Sequence, residues 1–136
     1  MSPTVALSLD WLGDMTFRSS AGQPAIELRS SSPDVASPPQ ALAYAVMACM
    51  AMDVVHILQK GRQDLRALRV TFDGERAAEH PRRFLSMRLH FHLTGRIEPG
   101  AVERAIQLSR DTYCSVWNTI RPDVTLTTEF SLETSN

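Results

Sequence analysis

Ala41-Leu42-Ala43-Tyr44-Ala45-Val46-Met47-Ala48-Cys49-Met50-Ala51-Met52-Asp53-Val54-Val55 is apolar at nearly every position, with Asp53 its one charge. Ser37 ahead of it offers a capping hydroxyl, and Pro38-Pro39 suit a first helical turn, where no amide donor is needed. The stretch therefore reads as the middle of a long helix that runs to about Lys60 and ends at Gly61, with Lys60 near the negative end of the dipole. A helix that is apolar all round must be buried all round. In a chain of 136 residues a single sheet covers only one side of it. A second subunit is the simplest cover for the other side, so a homodimer is expected.

Around this helix the pattern is that of strands. Val5, Leu7, Leu9 and Trp11 alternate with Ala6, Ser8 and Asp10, the period of two that a strand with one buried face requires. Met15–Ser19 and Ala25–Arg29 read as two more short strands, ended by Ala21-Gly22 and by Ser30-Ser31-Ser32-Pro33, so the opening third is an antiparallel meander. After the helix, Leu68, Val70 and Phe72 alternate with polar residues, as do Leu85, Met87, Leu89, Phe91 and Leu93, and the two strands form a hairpin through Gly74–Arg83. Glu98-Pro99 opens a second helix on which Val102, Ala105, Ile106 and Ser109 recur at three and four. A further helical piece begins at Asp111–Cys114 and ends near Arg121-Pro122, and Val124–Leu132 close the chain as a strand. Strands in runs, without repeating strand-helix units, predict an α+β fold with antiparallel sheets, in one domain spanning 1–136.

Composition narrows the function classes. Hydrophobic residues at 43% and charged residues at 21% are ordinary globular usage, so a folded domain is expected. Lys plus Arg (14) nearly balance Asp plus Glu (15), which removes the field that phosphate backbones call for, so nucleic acid is not an expected partner. The first residues carry no basic segment before an apolar run, and Ala41–Val55 is shorter than the roughly 20 residues that cross a bilayer. A soluble, cytoplasmic protein with no membrane partner is the expectation. His90 and His92 share a strand face, but no third ligand stands near them in the sequence, so no metal is expected.

Two cysteines, Cys49 and Cys114, make no zinc site alone, and in a reducing compartment a purely structural disulfide is not expected. They are either inert core residues or redox-active. A thiol attacks only as the thiolate, and burial among Met and Ala raises its pKa. Cys114, near the start of a helical segment, gains from outward-pointing amides. Cys49, in mid-helix, needs a cation from elsewhere. Arg18 and Arg29 of the meander are the nearest arginines in sequence, and both read equally well as solvated surface residues.

Three segments of the long helix, Ser37-Pro38-Pro39-Gln40-Ala41-Leu42, Cys49-Met50-Ala51-Met52-Asp53-Val54-Val55 and Ile57-Leu58-Gln59-Lys60-Gly61-Arg62, resemble the central-helix signature of the OsmC/Ohr family, in its YhfA-like branch. Gly74-Glu75-Arg76, Leu89–Gly95 and Leu108-Ser109 through Tyr113-Cys114-Ser115-Val116 match in order and spacing, so the resemblance covers nearly the whole chain. It implies an OsmC-like fold: an intertwined α+β homodimer with the long helices at its centre. It also implies a thiol-dependent peroxidase that reduces organic hydroperoxides, with Cys49 peroxidatic, Cys114 resolving, a lipoyl-type or small dithiol as reductant, and no bound cofactor. The family's peroxidases carry a glutamate ten residues before the helix cysteine to hold an arginine; here that position is Pro39, with Gln40 beside it. Asp53, one turn after Cys49, reads either as a carboxylate that orients an arginine instead or as a paired polar group at an interface. The alternative is a non-catalytic dimer of this fold that binds a small apolar or electrophilic ligand at its interface.

Overall fold

Three short strands come first, β1 (Leu9–Gly13), β2 (Thr16–Ser19) and β3 (Glu27–Arg29), paired antiparallel in that order. The helix α1 (Pro38–Lys60) comes next, then β4 (Asp64–Arg76), β5 (Phe84–Arg96) and α2 (Pro99–Leu108). A five-residue π-helical turn (Ser109–Tyr113), a 3-10 turn (Trp117–Thr119) and β6 (Thr125–Glu133) complete the chain. This computed structural model describes residues 2–134. The α+β class is as expected, and the chain divides into two units, Met1–Tyr44 and Ala45–Asn136.

In the first unit the meander has the expected order, but its first strand begins at Leu9, not Val5. Val5 and Leu7 precede the ladder and are exposed, because the partner strand ends at Ser19, opposite Leu9. Alternation reports which residues share a face; pairing ends where the partner runs out. Trp11, Phe17 and Leu28 stand in register on one face, with Asp10, Arg18 and Glu27 on the other. Trp11 on the apolar face is 66% exposed, and Met15 in the turn between β1 and β2 65%. The start of α1 is a reciprocal cap, in which the Gln40 N–H donates to Ser37 Oγ (3.4 Å) and the Ser37 N–H donates to Gln40 Oε1 (2.9 Å).

The second unit holds the core. Leu68, Val70 and Phe72 of β4 face Leu93, Phe91 and Leu89 of β5, which in turn face Leu132, Phe130 and Thr128 of β6. Onto this apolar sheet face pack Val46, Met50, Val54 and Leu58 of α1 and Val102, Ala105 and Ile106 of α2. Fully burying each large side chain is worth about 1.5–3 kcal/mol, and Phe91, Met50 and Leu58 are the largest so buried.

Three details differ from the sequence reading. First, β6 runs parallel to β5, so the sheet β4-β5-β6 is mixed and not purely antiparallel. A parallel neighbour needs a crossover of about a dozen residues or more; α2 and the two turns after it supply one and bring the chain back to start β6 beside Ser86. Second, α1 buries the stripe Val46-Met50-Val54-Leu58, and Ala43 ahead of it, in the single chain and leaves Ala48, Met52 and His56 exposed. At 23 residues the helix is long and apolar enough by composition to cross a bilayer, although that stripe packs on the sheet. Third, the residue that turns the chain at the helix end is Arg62 (φ +60°), not Gly61. The Gln63 N–H reaches the Leu58 carbonyl (2.9 Å) and the Arg62 N–H the Gln59 carbonyl (3.0 Å), the paired bonds of a Schellman ending.

Candidate active site

Cys49 and Cys114 both lie in the second unit, Cys49 partly buried on α1 and Cys114 fully buried. Although far apart in sequence, the two thiols face each other closely enough that each alters the acidity of the other. Packing of α1 and of the segment after α2 on the same sheet face brings them together.

The backbone around Cys114 is built for this placement. Its N–H donates to the Ser109 carbonyl (2.8 Å), a span of five residues that closes the π-helical turn. Such turns are rare and recur at functional sites, where they re-aim the next residues of the chain. Cys114 itself is extended (φ −73°, ψ 101°). The chain then folds back: the Asn118 N–H and its Nδ2 both donate to the Cys114 carbonyl (3.0 and 2.8 Å), and the Trp117 N–H donates to Cys114 Sγ (3.2 Å). The further helical piece expected from Asp111 to Arg121 is thus two separate turns, and Cys114 stands between them.

The two sulfurs differ in acidity. Burial works against the Cys49 thiolate, but the Val116 backbone, the Cys114 thiol and the Ser115 hydroxyl (4.0 Å from Sγ) outweigh it through hydrogen bonds, and the Cys49 pKa is lowered. The negative charge of Asp53 opposes them. Burial pushes the Cys114 thiol up to about 11, and the neighbouring Cys49 sulfur adds to the rise against the amide of Trp117. Cys49 is therefore the readier thiolate, and its donors are a backbone amide, a thiol and a hydroxyl rather than a guanidinium.

The remaining candidates have partners of their own. Asp53 accepts a hydrogen bond from the Ser109 hydroxyl (2.8 Å), and Ser109 is completely buried. Arg18 and Arg29 lie in the first unit, where both pair with Glu27, at 2.8 and 3.6 Å, and keep half or so of their side-chain surface in solvent. Gln40 takes part in the cap at the start of α1. His90 and His92 stack at 4.1 Å on the polar face of β5, with Ser131 between their ring nitrogens (3.1 and 3.3 Å) and Glu129 beside His90 (3.5 Å). Among the described residues no group of three or more His, Cys, Asp or Glu is placed to hold a metal.

Sequence reasoning missed Ser109, Ser115 and Val116. Ser109 had a signal: it occupies an apolar position in the pattern of the second helix, where a hydroxyl must find a buried partner. Ser115 and the Val116 amide had none, because which backbone group meets Cys49 depends on the path of the turn.

Residues 31–129 match the family described as OsmC-like protein. The chain is 38% identical over 125 residues to Protein YhfA of Escherichia coli K12, covering 90% of this chain and 93% of that one. A crystal structure of a hypothetical protein from Aquifex aeolicus superposes with a TM-score of 0.90 at 24% identity, over 99% of this chain and 100% of that one. An organic hydroperoxide resistance protein OsmC from Legionella pneumophila superposes with a TM-score of 0.72 at 18% identity, over 96% and 99%. With its mixed sheet, its long apolar helix and this extent of match, the chain belongs to the OsmC-like protein family.

Proposed function

We propose that this protein is a thiol-dependent peroxidase that reduces organic hydroperoxides through Cys49 and Cys114, using a small dithiol as reductant and working as a cytoplasmic homodimer. The observation that carries the reading is the pair of facing thiols with opposite shifts in acidity, one lowered and one held near 11. The Legionella relative bears the name of an organic hydroperoxide resistance protein, which supports the substrate class.

The cycle follows from sulfur chemistry. The Cys49 thiolate attacks one peroxide oxygen; the O–O bond breaks, an alkoxide leaves and takes up a proton as the alcohol, and Cys49 becomes a sulfenic acid. Cys114 attacks that sulfur, the S–O bond breaks, and hydroxide leaves with the Cys114 proton as water, so that a disulfide forms. An external dithiol then reduces it by exchange and is itself oxidised. The cycle as written uses no metal and no bound cofactor.

The homodimer is supported by apolar surface that the single chain leaves in water: Trp11 and Met15 of the meander, and Met52 of α1 at 69% exposure. Next to Met52 an apolar groove of about 430 Å³, lined by Ala48, Ala51, Val55, Leu68 and Val70, favours the second reading, a non-catalytic dimer that holds a small apolar ligand.

One experiment separates the two. Free thiols are counted before and after one equivalent of cumene hydroperoxide, with mass analysis for an internal disulfide. The peroxidase loses both thiols together with the mass of their hydrogens, and peptide mapping assigns the new bond to Cys49 and Cys114; Cys49→Ser abolishes consumption. Thiols that persist through peroxide treatment, or consumption indifferent to Cys49→Ser, overturn the reading. Sedimentation of a clean monomer removes the dimer.

A further inference from the structure

Ser109 is the one buried polar side chain among the described residues. Its hydroxyl donates to Asp53 Oδ2 at 2.8 Å, and its own carbonyl accepts the Cys114 N–H at 2.8 Å. Asp53 stands one helical turn after Cys49 on α1. The four residues thus close a loop: Cys49 to Asp53 along the helix, Asp53 to Ser109 by the side-chain bond, Ser109 to Cys114 by the backbone bond, and Cys114 to Cys49 sulfur to sulfur. The Asp53–Ser109 bond is the point at which the rigid helix holds the π-helical turn. Without it the turn ahead of Cys114 is held to α1 only by apolar packing, which is non-directional, and by the weaker sulfur contacts that Cys49 makes beyond Cys114.

We propose that Asp53 and Ser109 are positioning residues that set the approach of Cys114 to Cys49, so that closure of the internal disulfide depends on their hydrogen bond. This deepens the peroxidase reading and rests on it for its place in the cycle, but the geometric claim concerns disulfide closure by any route. Closure needs the Cys114 sulfur aligned behind the bond that breaks at Cys49, and a well-oriented pair gains through proximity what a loose pair loses. Asp53, read from sequence either as a holder of arginine or as a paired polar group, is paired with Ser109.

The test uses oxidised glutathione, which needs no peroxide. Cys49 thiolate attacks its disulfide and releases one glutathione thiolate; Cys114 then attacks Cys49, expels the second, and leaves an internal disulfide and two reduced glutathiones. The equilibrium constant of this exchange reports how well the two thiols are placed. Ser109→Ala is expected to lower it about tenfold or more, tenfold being the lower end of what loss of one hydrogen bond to a charged group carries. Asp53→Ala is expected to do the same, while Asp53→Asn, which keeps an acceptor for the hydroxyl, restores most of it. Circular dichroism and thermal melts identify variants that have lost the fold, and where one alanine variant has, the other, read against Asp53→Asn and wild type, still decides.

An unchanged exchange constant in folded Ser109→Ala overturns the proposal, as does equal loss in Asp53→Asn and Asp53→Ala. If exchange depends on Ser109 but cumene hydroperoxide leaves both thiols intact, the peroxidase reading falls and the positioning role stands. If peroxide oxidises Cys49 and closure ignores Ser109, the positioning role falls alone.

Discussion

Gly95 offers the sharpest test of the sheet that carries the site. It lies in β5 opposite Leu65, where the ladder slips between Leu65 and Ala67, and its φ is +145°. A Cβ added there would be driven into the Asp64 carbonyl oxygen and would also meet the Arg66 nitrogen at 3.2 Å. Both are backbone atoms of β4, so no rotamer change relieves the contact. The backbone conformation alone costs an L side chain about 1–3 kcal/mol, and forcing the strands apart adds about 1–3 kcal/mol, as overpacking does elsewhere. Gly95→Ala is therefore expected to lose about 2–6 kcal/mol, a fall in Tm on the order of 10 °C or more for a domain of this size. Gly100→Ala is the internal control: nothing lies within 4 Å of its added Cβ, and it stands in the first turn of α2. It is expected to gain up to about 1 kcal/mol by restricting the unfolded chain. Calorimetric melts of the two variants beside the wild type give the signs directly. A Gly95→Ala protein that melts within about 2 °C of wild type would refute the register at the bulge.

The site and the core carry further expected outcomes. Alkylation by iodoacetamide across pH should label Cys49 with a midpoint below that of an ordinary thiol; Asp53→Asn should lower the midpoint further by removing an opposing charge, and Ser115→Ala should raise it. A midpoint for Cys49 above the ordinary value would contradict the hydrogen-bond pattern. For Cys114, an acidic group whose folded pKa is raised from 9.0 to about 11, the folded state keeps the proton more tightly. Its contribution to stability is thus complete below about pH 9 and lost as pH rises through about 11, so Tm of the wild type should fall more steeply over that window than Tm of Cys114→Ala. Phe91→Ala, which empties the largest fully buried position, should cost about 3–5 kcal/mol in urea unfolding.

Much of the architecture was legible because it is written in local periodicity. The alternation from Leu85 to Leu93 gave β5 and its inward face, and the cap residues at Ser37 gave the start of α1 to the residue. The direction of β6 was not legible, since alternation is identical in parallel and antiparallel strands and the direction depends on how the crossover returns. The helix end at Lys60 was legible, but the residue that turns the chain was not: Gly61 is the usual left-handed residue, whereas Arg62 takes that conformation here.

At the site the division is sharper. The types and spacing of Cys49 and Cys114, and the family likeness of their surroundings, were visible in the chain. By itself the sequence determined that a long apolar helix would lie on a sheet and that two thiols were the chemistry to watch. Tertiary structure alone decided that the thiols meet, that Val116 and Ser115 make Cys49 the more acidic of them, and that Asp53 binds Ser109. The reason is physical: periodicity encodes which face of an element is buried, while acidity and alignment depend on individual donors brought from distant segments, and those are set only when the packed chain closes.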